Sequence, residues 1–179
     1  MKQMLILPII SVMKILFSFM LIFSAVWLFA APLEGGFATE EKAQAYLNAR
    51  LKVIEAAKKH EGVPYLFGGM TPRGLDCSGF IGLSFRDALG ITLPRSASGL
   101  HSWSERIPYE KAQPGDFLFF RTGATQNITH VAIYLGNRSF IHSASAGART
   151  GVIISSLNEN YWFNAFAGAG RAFPEIPPD

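Results

Sequence analysis

The stretch Leu75-Asp76-Cys77-Ser78-Gly79-Phe80 joins two unlike parts of the chain. Before it, residues 61–76 are punctuated by Gly62, Pro64, Gly68, Gly69, Pro72 and Gly74, which reads as a loop. After it, residues 77–89 read as a helix, with Phe80, Leu83, Ala88 and Leu89 available for burial and Gly90 as its C-terminal stop. Cys77 therefore stands at a helix N-terminus, where unpaired N–H groups and about half a positive charge favour thiolate over thiol. The same N–H groups could hold an oxyanion. Gly79 keeps the first turn slender, so that an extended chain could lie close to the sulfur. Taken alone, a single cysteine is as readily a buried structural residue.

Upstream, residues 39–60 carry Ala43, Leu47, Leu51, Ile54 and Ala57 at helical spacing, with Thr39 placed to cap and Glu40 and Glu41 in the first turn. Downstream the period changes. Residues 117–120, 129–135, 139–143, 151–155 and 166–173 read as strands, with turn signals at Gly123, Gly136-Asn137 and Gly147. The proline-rich tail 174–179 reads as irregular. Helices followed by an antiparallel sheet give an α+β domain over residues 39–179, with no repeat and no linker inside it.

At the other end, seventeen uncharged and mostly apolar residues, 15–31, follow Lys14, which is the pattern of a secretory signal. The small residues near position 38 place the cut after Ala38, with Ala30 as second choice, so residues 1–38 read as a signal peptide. An uncleaved anchor is the alternative, since seventeen residues lie at the short edge of a bilayer span. A lipid-modified terminus needs a cysteine at the cut, and the chain's one cysteine is Cys77. Without residues 1–38, which hold Lys2, Lys14 and Glu34, 14 basic and 12 acidic residues remain. That balance is too even to argue for nucleic acid. An exported chain whose one thiol can form no internal disulfide raises the question of what the thiol does.

His130 and His142 lie twelve residues apart on two predicted strands joined at Gly136-Asn137. An even separation across a short hairpin points both side chains the same way. His130 then suits a base for Cys77, and His142 an orienter of the His130 ring. Two satisfied histidines on a sheet face, or a zinc site made with Cys77, are the alternatives, although no short-spaced ligand pair is present. His60 and His101 read as surface or loop residues.

Six blocks then carry a resemblance. Gly62-Val63-Pro64-Tyr65-Leu66-Phe67-Gly68-Gly69, Leu75-Asp76-Cys77-Ser78-Gly79-Phe80, Leu93-Pro94-Arg95-Ser96, Gln113-Pro114-Gly115-Asp116, residues 128–136 and Phe140-Ile141-His142 resemble, in order, the NlpC/P60 cell-wall cysteine peptidases. The resemblance covers nearly all of residues 45–173 and implies a papain-like fold. It implies Cys77 as nucleophile, His130 as base, His142 as third polar residue and Tyr65 as an oxyanion partner. Asp76, Ser78 and Ser96 match positions that line the stem-peptide pocket in some members, although Asp76 could equally cap the helix. Arg95 could meet a substrate carboxylate or be structural. A glutamine common in the family a few residues after this point is absent, the chain having Ala97-Ser98-Gly99.

The implied reaction is hydrolysis of peptidoglycan stem peptides, typically between γ-D-glutamate and a diamino acid such as meso-diaminopimelate, through a thioester. An amidase or acyltransferase using the same residues, and a non-catalytic muropeptide-binding domain, are the rival readings. The protein is expected to act outside the cytoplasm, in the periplasm or cell envelope, as a monomer without metal or cofactor. Contact with a membrane is expected only through an uncleaved N-terminal segment.

Overall fold

The structure is a computed structural model that describes residues 34–172. The apolar run of the expected signal and the tail 174–179 lie outside the described residues. Among the described residues, no helix is long and apolar enough to cross a membrane. Helix α1 spans Glu34–Lys59. It passes through position 39, so Thr39 is inside the helix and is not its cap. A short hairpin, β1 (Met70–Thr71) with β2 (Gly74–Leu75), interrupts the predicted loop. Helix α2 spans Cys77–Leu89 as expected, and Gly90 ends it in the left-handed region at φ 72°. Helix α3 (Ala97–Trp103) and strand β3 (Glu105–Ile107) follow.

Strands β4 (Phe117–Phe120), β5 (His130–Gly136), β6 (Ser139–Ala144) and β7 (Gly151–Ser156) come next. Helix α4 (Asn160–Ala165) and strand β8 (Phe166–Arg171) complete the described chain. The six-stranded sheet runs β3-β8-β4-β5-β6-β7, and every pairing in it is antiparallel. The β5–β6 turn places Asn137 and Arg138 at φ 50° and 63°, the paired left-handed residues of a tight hairpin.

All four residues of β4 are buried because the sheet is covered on both faces. On one face Phe117, Phe119, Val131, Ile133 and Ile141 pack with Phe80, Ile81 and Phe85 of α2, Val53 of α1 and Leu100 of α3. On the other, Leu118, Phe120, Tyr134 and Phe140 pack with Trp162 and Ala165 of α4.

Candidate active site

The β5–β6 register runs from Gly136↔Ser139 to Ile133↔Ile141, and no pairing continues it toward His130 and His142. Helix α2 packs against both strands. The backbone N–H groups of Val131, of Ser78 and of Cys77 itself favour the ionised form of the Cys77 thiol. The remaining first-turn donors are taken: Gly79 N–H by the Asp76 carboxylate at 2.8 Å and Phe80 N–H by the Asp76 carbonyl. The Ser143 hydroxyl donates to the Leu75 carbonyl at 2.7 Å, tying the nucleophile's approach to β6.

Asp76 is the N-cap of α2 and the centre of a cluster. Arg95 meets it with both ends of its fork, Nη1 to Oδ1 at 2.6 Å and Nη2 to Oδ2 at 2.8 Å. The Gly68 N–H and the Ser78 hydroxyl also donate to it. Arg95 further donates to the Gly69 carbonyl and to Ser78. Burial alone would raise the Asp76 carboxyl, but the Arg95 contact and the Gly79 N–H outweigh it and hold the group below its ordinary value. Asp76 and Arg95 are thus already committed to each other and to the helix start. The slender turn at Gly79 is likewise filled from within, since a Cβ there would collide with the Gly69 carbonyl.

His130 and His142 share the sheet face covered by α4. His130 Nε2 lies 2.8 Å from His142 Nδ1, and His142 Nε2 lies 3.1 Å from the Ser155 hydroxyl. For His130 Nδ1 to accept a proton, Nε2 must carry one and donate it to His142 Nδ1. His142 then donates from Nε2 to Ser155, so the chain of contacts couples the two tautomers. Trp162 closes the pair from water, with its ring 5.4 Å from His130 and 4.7 Å from His142, and Phe120 packs at 5.9 Å from His130.

Burial pushes His130 down to about 4. It also holds His142 well below the ordinary value, with the charges of His130 and Arg149 acting the same way. The Cys77 thiol is raised, by burial first and then by the Asp76 charge, against the pull of the three N–H groups. This corrects the expectation from the helix terminus alone: the half-charge of the helix start is present, but desolvation exceeds it. The resting pair is a neutral thiol and a neutral imidazole. Tyr65, bridged to Leu75, is raised by burial first and then by the charges of Cys77 and Asp76.

The structure therefore brings together Cys77, Tyr65, Asp76, Ser78 and Arg95 on one side, and His130 and His142 on the other. Ser96 serves instead as the N-cap of α3, accepting from the Gly99 N–H at 3.0 Å. His60 is a correction: it is buried and lies 3.1 Å from Asp87, joining the end of α1 to α2. His101 sits on α3, edge-on to Phe119. Ser155 and Trp162 were not foreseen, and only the folded sheet reveals them. Among the described residues, no group of three His, Cys, Asp or Glu side chains is placed to hold a metal ion.

A cysteine at the start of a buried helix, with two hydrogen-bonded histidines on neighbouring antiparallel strands, has the form of a papain-like cysteine peptidase. Residues 62–171 match the NlpC/P60 family, and the chain belongs to it. It is 35% identical to a "Probable endopeptidase" of Haemophilus influenzae over 86% of this chain and 96% of that one. It is 36% identical to the "Murein DD-endopeptidase MepS/Murein LD-carboxypeptidase" of Escherichia coli over 70% of this chain and 64% of that one. A crystal structure of an NLP/P60-family protein from Staphylococcus aureus superposes with a TM-score of 0.61 at 38% identity, covering 70% of this chain and 42% of that one.

Proposed function

We propose that this cysteine peptidase is exported to the cell envelope and hydrolyses peptidoglycan stem peptides between γ-D-glutamate and a diamino acid, through a thioester. One observation carries the reading: backbone N–H groups, that of Val131 included, favour the Cys77 thiolate, and the residue before Val131 is His130, which is hydrogen-bonded to His142 and through it to Ser155. His130 draws the thiol proton as Cys77 attacks the γ-carbonyl. The N–H groups at the start of α2, with the Tyr65 hydroxyl, stabilise the oxyanion. His130 then protonates the leaving amine, and water hydrolyses the thioester with His130 again as base.

The purified full chain should release a new amine from peptidoglycan, with product masses ending at γ-D-glutamate. Cys77→Ala should lower that release by at least about a thousandfold. Products ending in D-alanine would move the cut to the bond named for the Escherichia coli relative. Equal release by wild type and Cys77→Ala would overturn the peptidase reading.

A further inference from the structure

Strand β7 brings one polar side chain, that of Ser155, onto the sheet face that holds the histidines. In the β6–β7 ladder Ser155 lies opposite Phe140, and His142 lies opposite Ile153, so strand parity puts all four on one face. Around the histidines that face is apolar, and Phe120, Phe140 and Trp162 pack on one another there. Ser155 is buried, with its hydroxyl 3.1 Å from His142 Nε2. Among the described residues, that hydroxyl has no other hydrogen-bond partner. Its one contact is therefore with the histidine pair.

A hydroxyl both donates and accepts, so in the resting pair it suits either tautomer of His142. Transfer of the thiol proton ends that freedom. The proton leaves Cys77 Sγ for His130 Nδ1, which gives a thiolate and an imidazolium. His130 Nε2–H then donates to His142 Nδ1, so the one proton of His142 must sit on Nε2. The Ser155 oxygen is the acceptor the fold supplies for it, and no proton passes on to His142 or Ser155. A hydrogen bond strengthens when its donor side carries charge, and Trp162 keeps water from taking this one's place. The contact thus gains strength as the reaction proceeds, which is what lowers a barrier.

We propose that Ser155 is a positioning residue of the peptidase, acting through His142 to stabilise the charged His130 that forms as Cys77 loses its proton. The inference rests on the peptidase reading above and adds a fourth member to its hydrogen-bonded chain. The titratable and charged groups that face the pair are Arg149 from the β6–β7 loop, Glu159 and Tyr161 from the start of α4 and, in the mechanism above, Cys77 from α2. Substitutions at Ser155 leave all of them in place.

The test compares full-length wild type, Ser155→Ala, Ser155→Val and Ser155→Thr on L-Ala-γ-D-Glu-meso-diaminopimelate. Ser155→Ala and Ser155→Val should lower kcat about tenfold and leave KM within about twofold. Ser155→Thr has the shape of the valine variant but keeps the hydroxyl, and should recover most of the loss. The direction of the pH shift separates this role from packing. Losing the acceptor makes the charged ring harder to form, so the acid limb of kcat/KM moves to lower pH. A loosened site that admits water moves it higher. A wild-type kcat in Ser155→Ala, or an acid limb that moves higher, would overturn the proposal. NMR titration of the histidine rings in full-length Cys77→Ala reads the same effect without turnover. Adding Ser155→Ala should make His130 take up its proton at lower pH. That shift without cleavage by wild type would overturn the peptidase and keep the Ser155 contact. Cleavage by wild type with an unmoved titration would overturn the role of Ser155 and keep the peptidase.

Discussion

His130, the proposed base, is kept dry. Burial holds its ring near 4, so it stays neutral and able to accept the thiol proton across the whole mildly acid range. The acid limb of kcat/KM should accordingly fall at about pH 4. Trp162 supplies much of the cover, touching both histidines. Trp162→Ala should let water reach the ring, return its pKa toward the ordinary value and move the acid limb to higher pH. An unmoved limb in the pH–rate profile would deny Trp162 that role. At Asp76 the question is charge balance. Arg95→Gln leaves a mostly buried carboxylate without its cation, beside a thiol whose ionisation that charge already opposes. Urea unfolding should show a loss of about 1–3 kcal/mol, and adding Asp76→Asn should restore part of it, because the second change removes the unpaired charge.

At the scale of elements, the sequence was legible wherever the signal is local. The capped helix at Cys77, the left-handed stop at Gly90, and the apolar strands with their Gly136-Asn137 turn each carry their cause within a few residues, and the sheet appears where they place it. The His130–His142 pairing was legible for the same reason, since strand parity across one hairpin fixes which residues share a face. Helix α1 was misread. Ala43, Leu47 and Leu51 are apolar at helical spacing, yet they face solvent, with Leu47 48% and Leu51 54% exposed. The packed face keeps Ile54 and Ala57 of the expected set and adds Tyr46, Ala49, Arg50 and Val53. A buried ion pair sets this rotation: Arg50 Nη2 lies 2.7 Å from Asp116 Oδ1, and Nη1 donates to the Pro114 carbonyl at 2.9 Å. Apolar periodicity cannot disclose a docking face built on an arginine. The Gln113-Pro114-Gly115-Asp116 block thus owes its form to structure, with Gly115 at φ 93° against Arg50. Short α3 and α4 escape a periodicity reading, and Ser155 and Trp162 acquire meaning only when distant strands and helix meet. Asp116→Ala strands the Arg50 charge in the interior and should cost about 3–5 kcal/mol in denaturant unfolding. Arg50→Met with Asp116→Leu should cost less than Asp116→Ala, because Arg171, 3.6 Å from Asp116, is then the one cation left without its carboxylate, where Asp116→Ala strands Arg50 as well.

The whole molecule balances two faces of one sheet. The face under α2 is an apolar core that fixes the nucleophile's helix, whereas the face under α4 buries two titratable rings among aromatics. That second choice ties the fold's stability to pH, and the sign follows from proton counting. Below the ordinary histidine value of about 6.5 the unfolded chain binds a proton at His130, while the folded chain refuses it until about pH 4. The stability associated with the neutral ring is therefore complete above pH 6.5 and is lost as pH falls from there toward 4. Integrated over that window, His130 accounts for on the order of 3 kcal/mol. His142, depressed in the same direction, extends the loss. Asp76, held below its ordinary value, adds a further loss at lower pH as its carboxylate takes up a proton. Unfolding free energies from urea titrations at pH 7.5 and pH 4.5 should thus differ by several kcal/mol in wild type. His130→Asn, which has no proton to bind, should shrink that difference by the His130 share even if its stability at pH 7.5 is lower. A wild-type difference that survives the substitution intact would mean that His130 is not the buried neutral base the geometry makes it.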